Sequence, residues 1–143
     1  ARAARSAPPS PRAGAGAFSP RRAAGYGGHF IDRDEVDRRR PEAVTDLLRD
    51  APGVNLRRTD IGTMLIRFRR ETGLDAHPDG CVPDLYLDGV LVSGPPGQSR
   101  METHDIIDPR TIEGVEVYRG PAAPIEYSRS PCGAVLIWTR TGR

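Results

Sequence analysis

The 143 residues suffice for one domain with a single core plus a tail, and with only 37% hydrophobic residues that core must be small and the remainder solvated. All 21 basic residues are arginine, set against 19 acidic residues for a net charge of +2. With no basic run longer than Arg38-Arg39-Arg40 and no stacking-aromatic motif, this balance argues against nucleic acid as a partner, and no stretch reaches the ~20 apolar residues of a membrane helix.

Residues 1–24 are almost entirely Ala, Arg, Pro, Ser and Gly, with Phe18 the one large apolar side chain. Such a segment buries too little surface to offset its ordering entropy, so it is expected to be a disordered linker, with the folded domain spanning 25–143. The chain begins with Ala1 rather than Met, so the native N-terminus and any signal peptide are expected to lie upstream. Gly25-Tyr26-Gly27-Gly28 leads into a short strand at His29-Phe30-Ile31. Asp32 and Glu35 have capping-box spacing for a brief helix through Arg39. Pro41 stands at the favoured first position of a second helix, whose Val44, Leu47, Leu48 and Ala51 form one i, i+3, i+4, i+7 stripe, and Pro52-Gly53 stops it.

The period then changes from helical to alternating. Val54-Asn55-Leu56 and Met64-Leu65-Ile66-Arg67-Phe68 are predicted strands around a turn at 59–62, and residues 69–80 form a polar loop. Leu85-Tyr86-Leu87 and Val90-Leu91-Val92 flank Asp88-Gly89, a hairpin signal because a type I′ turn needs positive φ at both central residues. A Gly/Pro loop covers 93–99, and 103–108 holds one helical turn. Val115-Glu116-Val117-Tyr118 alternates as a strand with both valines on one face, and Gly120-Pro121 ends it. The last strand, Ala134 to Thr139, is apolar on both faces and carries the sole tryptophan, Trp138, so it belongs in the middle of a sheet. The fold class expected is α+β: a small mixed sheet with two or three short helices.

Few residues are arranged for chemistry. His77, Cys81, His104 and Cys132 are zinc-ligand types, but Pro78-Asp79-Gly80 prevents a helix joining His77 to Cys81, and there is no Cys-x-x-Cys pair. Neither cysteine stands at a helix N-terminus or in a cationic cluster, so a Cys–His nucleophile is not expected. Glu113 and Glu116, three apart on a strand, point to opposite faces and cannot act as a carboxylate pair. The glycines at 25–28 precede no phosphate-binding helix. The chain is therefore read as non-catalytic, with no metal and no cofactor. The two cysteines are compatible either with a disulfide or with buried thiols.

Four segments, in this order and spacing, resemble the plug domain of TonB-dependent outer-membrane receptors. Asp46-Leu47-Leu48-Arg49-Asp50-Ala51-Pro52-Gly53-Val54 is similar to the family's helix that ends in Pro-Gly-Val and turns into a strand. Leu85-Tyr86-Leu87-Asp88-Gly89-Val90 is similar to its Asp-Gly hairpin, and Ile112-Glu113-Gly114-Val115-Glu116-Val117-Tyr118-Arg119-Gly120-Pro121 to its Ile-Glu-x-Ile-Glu-Val strand with a following Gly-Pro. Cys132 to Arg140 is similar to its closing strand.

The resemblance implies a domain that occludes an outer-membrane β-barrel, contributes to ligand binding and gated uptake, and works with a TonB-type energy-coupling protein. It also implies a location at the outer membrane or its periplasmic face. Residues 1–28 carry no acidic, β-branched segment similar to the family's TonB box. Plugs are followed by a barrel of about 22 strands, whereas only three residues follow Arg140. The cysteine pair is similar to that of a plug-like subgroup without a barrel, in which the module follows a small β-sandwich. The alternative expectation is accordingly a free-standing, monomeric periplasmic binding module. Membership of an exported family, with each cysteine directly before a buried strand, implies a Cys81–Cys132 disulfide.

Overall fold

The structure, a computed structural model, describes residues 18, 20, 27–58, 64–69, 80–92 and 107–140. Within these, β1 (His29–Ile31), α1 (Arg33–Arg39) and α2 (Val44–Leu48) are followed by β2 (Val54–Arg58), β3 (Met64–Phe68), β4 (Asp84–Leu87), β5 (Val90–Leu91), β6 (Ile112–Arg119) and β7 (Gly133–Thr139). Single 3-10 turns at Pro109–Thr111, Gly120–Ala122 and Ile125–Tyr127 precede and follow β6. The turn expected at 59–62, most of the loop at 69–80, the Gly/Pro loop at 93–99 and all but the end of the turn at 103–108 lie outside the described residues.

The Asp32 carboxylate accepts the Glu35 N–H at 2.9 Å, which starts α1 where the capping spacing places it. The second helix differs from expectation at its start. Pro41 is not its first residue; α2 begins at Val44, because the Asp46 carboxylate accepts the N–H groups of Glu42 (2.9 Å) and Ala43 (3.1 Å) and holds that backbone outside the helix. The apolar stripe is where the spacing puts it, with Val44, Leu47, Leu48 and Ala51 all buried.

Partial burial works to raise the Asp46 pKa, but the two N–H donors and the Arg49 guanidinium outweigh it and hold the carboxyl below the ordinary 3.8. A depressed folded-state value adds stability that is complete above the unfolded-state pKa and is lost as pH falls through the depressed one. Asp46→Asn is therefore expected to cost about 1 kcal/mol at pH 7, the scale of a lost helix cap. It is also expected to lose less than the parent between pH 5 and pH 2, on urea titrations at each pH.

Five strands form one mixed sheet in the order β1-β6-β7-β4-β5, in which β7 is central, antiparallel to β6 and parallel to β4. The strands β2 and β3 do not join it; they pair with each other, antiparallel, as a separate two-stranded sheet from Val54↔Phe68 to Arg58↔Met64. They reach the main body through side chains. Val54, Ile66 and Phe68 pack with Val36 of α1 and Leu47 and Leu48 of α2 against one face of the large sheet, which contributes Ile31, Leu85, Val115, Val117, Val135 and Ile137.

The opposite face carries a second core of Tyr86, Tyr118, Leu136 and Trp138, closed by Ala123, Tyr127 and Phe18. Phe18 is 5% exposed and meets Phe30 edge-on at 5.6 Å. Phe18 and Pro20 are the described residues of the stretch read as a linker; the rest of 1–24 lies outside the described residues.

Candidate functional site

The hairpin tip is built by local backbone chemistry. Asp88 and Gly89 have φ of 49° and 88°, and β4 and β5 pair on either side of them. The Asp88 side chain then reaches the central strand: its carboxylate oxygens accept the Thr139 N–H at 2.8 Å and the Thr139 hydroxyl at 2.6 Å, while the Asp88 N–H donates to the Ile137 carbonyl at 2.9 Å. The turn is thereby fastened to the far end of β7. Gly89→Val forces a β-branched residue into positive φ, and a loss of about 1–3 kcal/mol is expected by chemical denaturation. An unchanged unfolding midpoint would contradict this geometry.

Cys81 and Cys132 are joined in a disulfide with a Cα–Cα distance of 5.9 Å. Cys81 also exchanges two backbone hydrogen bonds of 2.8 Å with Phe68, the last residue of β3, and Cys132 immediately precedes β7. The bridge thus ties the exit of the small sheet to the start of the central strand of the large one. With both sulfurs bonded to each other, neither is a nucleophile or a metal ligand here. Among the described residues no group of three or more His, Cys, Asp or Glu side chains could hold a metal ion. His77 and His104 lie outside the described residues.

The two glutamates of β6 have separate surroundings. Glu113 faces the surface and pairs with Arg33 at 3.2 Å. Glu116 is fully buried on the second face, where one oxygen accepts the Tyr118 hydroxyl and the other the Trp138 indole N–H, each at 2.5 Å. The sequence reading missed this cluster. A signal was available: β7, apolar on both faces, implied cover over both faces of its neighbour β6, and hence a buried Glu116.

Nearby, Asp84 is buried and bonded by both oxygens to Arg129, at 3.0 and 3.4 Å. Burial pushes the Tyr86 phenol above its ordinary value; Asp84 adds to this and Arg129 opposes it. A groove of about 490 Å³ beside the last 3-10 turn includes Pro121, Ile125, Ser128, Ser130 and Pro131. Ser128 donates its hydroxyl to the Ile125 carbonyl and Ser130 accepts the Cys132 N–H, so both hydroxyls serve the backbone.

The exterior is charged and mixed in sign. Arg33 lies between Glu113 and Asp37, Arg140 meets Asp37 at 2.9 Å, and Arg39 bridges Glu35 and Asp50. Such exposed pairs add little stability, but they make a surface suited to water. Among the described residues, the large apolar side chains left exposed are Val82, Val90 and Ile125, the last 89% exposed. None of the described helices is long and apolar enough to cross a membrane.

Fold and surface together define a disulfide-braced α+β domain: a sheet covered on both faces, with arginine–carboxylate pairs outside. The family profile of the TonB-dependent receptor plug domain matches residues 29–135, and the chain belongs to that family. It is 34% identical to the ferrioxamine B receptor of Salmonella typhimurium (strains SL1344 and LT2) over 62 residues, which are 43% of this chain and 8% of the receptor.

Among solved structures, a variant of the ferric enterobactin receptor of Pseudomonas aeruginosa superposes with a TM-score of 0.57 at 26% identity, covering 79% of this chain and 17% of that one. The siderophore receptor PirA of the same organism gives 0.54 at 28%, covering 79% and 18%. The chain therefore spans less than a fifth of the length of each of these receptors.

Proposed function

We propose that this domain is the plug of an outer-membrane TonB-dependent receptor that takes up a ferric siderophore, with residues 25–143 as the occluding unit and 1–24 as a linker. The observation that carries this reading is the family match over 29–135, on a fold shared with a ferric enterobactin receptor and a siderophore receptor and with partial identity to a ferrioxamine B receptor. The physical chemistry agrees. A receptor barrel has a polar lumen, so its occluding domain needs a small sealed core and a charged exterior. Both are present here: apolar side chains line the two faces of one sheet, and arginine–carboxylate pairs cover the outside.

In this reading the partners are a β-barrel in cis and a TonB-type energy-coupling protein. The domain works by docking and displacement rather than by bond chemistry, and it acts on the periplasmic side of the outer membrane. The test is excision of residues 29–135 from the native protein in its own host. Loss of ferric-siderophore-dependent growth, together with increased permeability to large hydrophilic antibiotics, is the expected result. Unchanged permeability would refute occlusion. Recovery of the intact native protein in the soluble periplasmic fraction would replace this reading with that of a free-standing binding module.

A further inference from the structure

The two sheets meet where Gly53, just before β2, lies against Arg69, just past β3: the Arg69 N–H donates to the Gly53 carbonyl at 2.8 Å. Over this junction lies the side chain of Arg119, the last residue of β6. A Cβ added at Gly53 would run into the Cζ, Nε and Nη1 atoms of its guanidinium, so glycine alone leaves room for the group on that backbone. One of the five N–H groups of Arg119 donates to the Arg69 carbonyl at 3.2 Å. Arg119 and Arg69 are both exposed, and among the described residues no carboxylate pairs with either. Elsewhere in the molecule Arg33, Arg39, Arg49, Arg110, Arg129 and Arg140 each pair with an acidic side chain. Arg38 is exposed without a carboxylate too, but no hydrogen bond to the described residues holds its side chain.

Fixing a long arginine side chain costs rotamer entropy, and one neutral carbonyl uses little of what a guanidinium can bind. Arg69 springs from the residue whose carbonyl holds Arg119, so its own side chain can reach an anion seated there. Two permanent positive charges at one point repel each other unless an anion lies between them. We propose that Arg119 and Arg69 form an oxyanion site at the sheet junction and that its ligand is a phosphate monoester. Two guanidiniums are nearly balanced by the charge of about −1.5 to −2 that such a phosphate carries at neutral pH, whereas a carboxylate balances only one of them. The phosphate oxygens accept from both side chains, and the planar fork of Arg119 matches a pair of them. Gly53 and the Arg69 carbonyl set that fork before the ligand arrives. The site goes beyond the role of a plug; it belongs to the domain itself and does not depend on a surrounding barrel.

The test follows the Arg119 Nε–H and Gly53 amide signals of the full chain by NMR as glycerol 3-phosphate is added. Both are expected to shift saturably, and binding should strengthen as the monoester loses its second proton at about pH 6. Acetate should bind about tenfold more weakly or worse, since it meets one guanidinium rather than two. Arg119→Gln should weaken phosphate binding about tenfold or more, and Arg119→Lys should recover part of the loss, because it restores the charge without the fork. Gly53→Ala should weaken binding by displacing the guanidinium, and Arg38→Gln should leave it unchanged. Should Gly53→Ala not fold, the two Arg119 variants decide the matter. Sedimentation with phosphatidylcholine vesicles, with and without phosphatidic acid, separates the two sources of such a phosphate. Arg119-dependent sedimentation with phosphatidic acid would assign the site to a lipid headgroup, and glycerol 3-phosphate binding without sedimentation would assign it to a soluble ligand. No saturable shift, equal affinity for acetate, or unchanged binding in Arg119→Gln would overturn the site.

Discussion

Replacing Cys81 and Cys132 together by alanine is expected to lower the unfolding free energy by about 4 kcal/mol, the chain-entropy value for a loop of this length. The bridge closes 51 residues of sequence separation, a segment that contains β4, β5 and β6. Single domains have only about 5–15 kcal/mol in total, so the loss would bring a large unfolded fraction within reach of modest heating.

Its location makes the effect uneven. The small β2–β3 sheet shares no ladder with the large one, and its covalent link beyond the chain itself is this disulfide, two backbone hydrogen bonds past Phe68. Hydrogen exchange in the double variant should therefore quicken first in β2, β3 and the backbone around Cys81, with β6 and β7 the last to open. Urea denaturation of the parent with and without reductant should reproduce the stability difference. A change below about 1 kcal/mol would mean that packing of Val54, Ile66 and Phe68 holds the two sheets together without the bridge.

Much of this architecture is written in local pattern. The stripe of Val44, Leu47, Leu48 and Ala51 locates a buried helix face, Asp88-Gly89 locates a turn, and the doubly apolar run from Ala134 to Thr139 locates the central strand. These signals survive because each is a period or a φ requirement that tertiary context has no reason to override.

What was not legible depends on which partner each group finds in the folded chain. The start of α2 is set by the Asp46 carboxylate accepting the Glu42 and Ala43 N–H groups, so the helix begins at Val44 and not at Pro41. The separation of β2–β3 into its own sheet depends on which strand edge finds a partner, and strand propensity does not encode that. Glu116 reads as the polar position of an alternating strand only if one face of β6 meets water. Here β1 and β7 flank β6 and the second face is covered, so both alternations are buried. Phe18 is a single aromatic in a stretch of low complexity, and no spacing rule distinguishes an anchor from an isolated side chain.

The second large effect expected is at Glu116. Its carboxyl is 0% exposed and accepts the Tyr118 hydroxyl and the Trp138 indole N–H, so it satisfies two donors that have no access to water. Glu116→Ala removes both acceptors at once and leaves each donor buried, at about 1–3 kcal/mol apiece, with a further term for the cavity. A total near 4 kcal/mol is expected. Glu116→Gln is the informative control, because its amide offers an oxygen to one donor and turns an NH₂ toward the other; about half the loss should remain.

The ordering Ala worse than Gln tests hydrogen bonding rather than volume, since Gln nearly fills the original space. Removing a donor as well should reverse part of the damage. Tyr118→Phe in the Glu116→Ala background is expected to cost less than Tyr118→Phe alone, because the bond between the two side chains is already gone. Equilibrium urea unfolding, followed by Trp138 fluorescence, reads all four variants on one scale. Equal losses for Ala and Gln, or additive losses in the double variant, would show that Glu116 fills space on the second face without organising it.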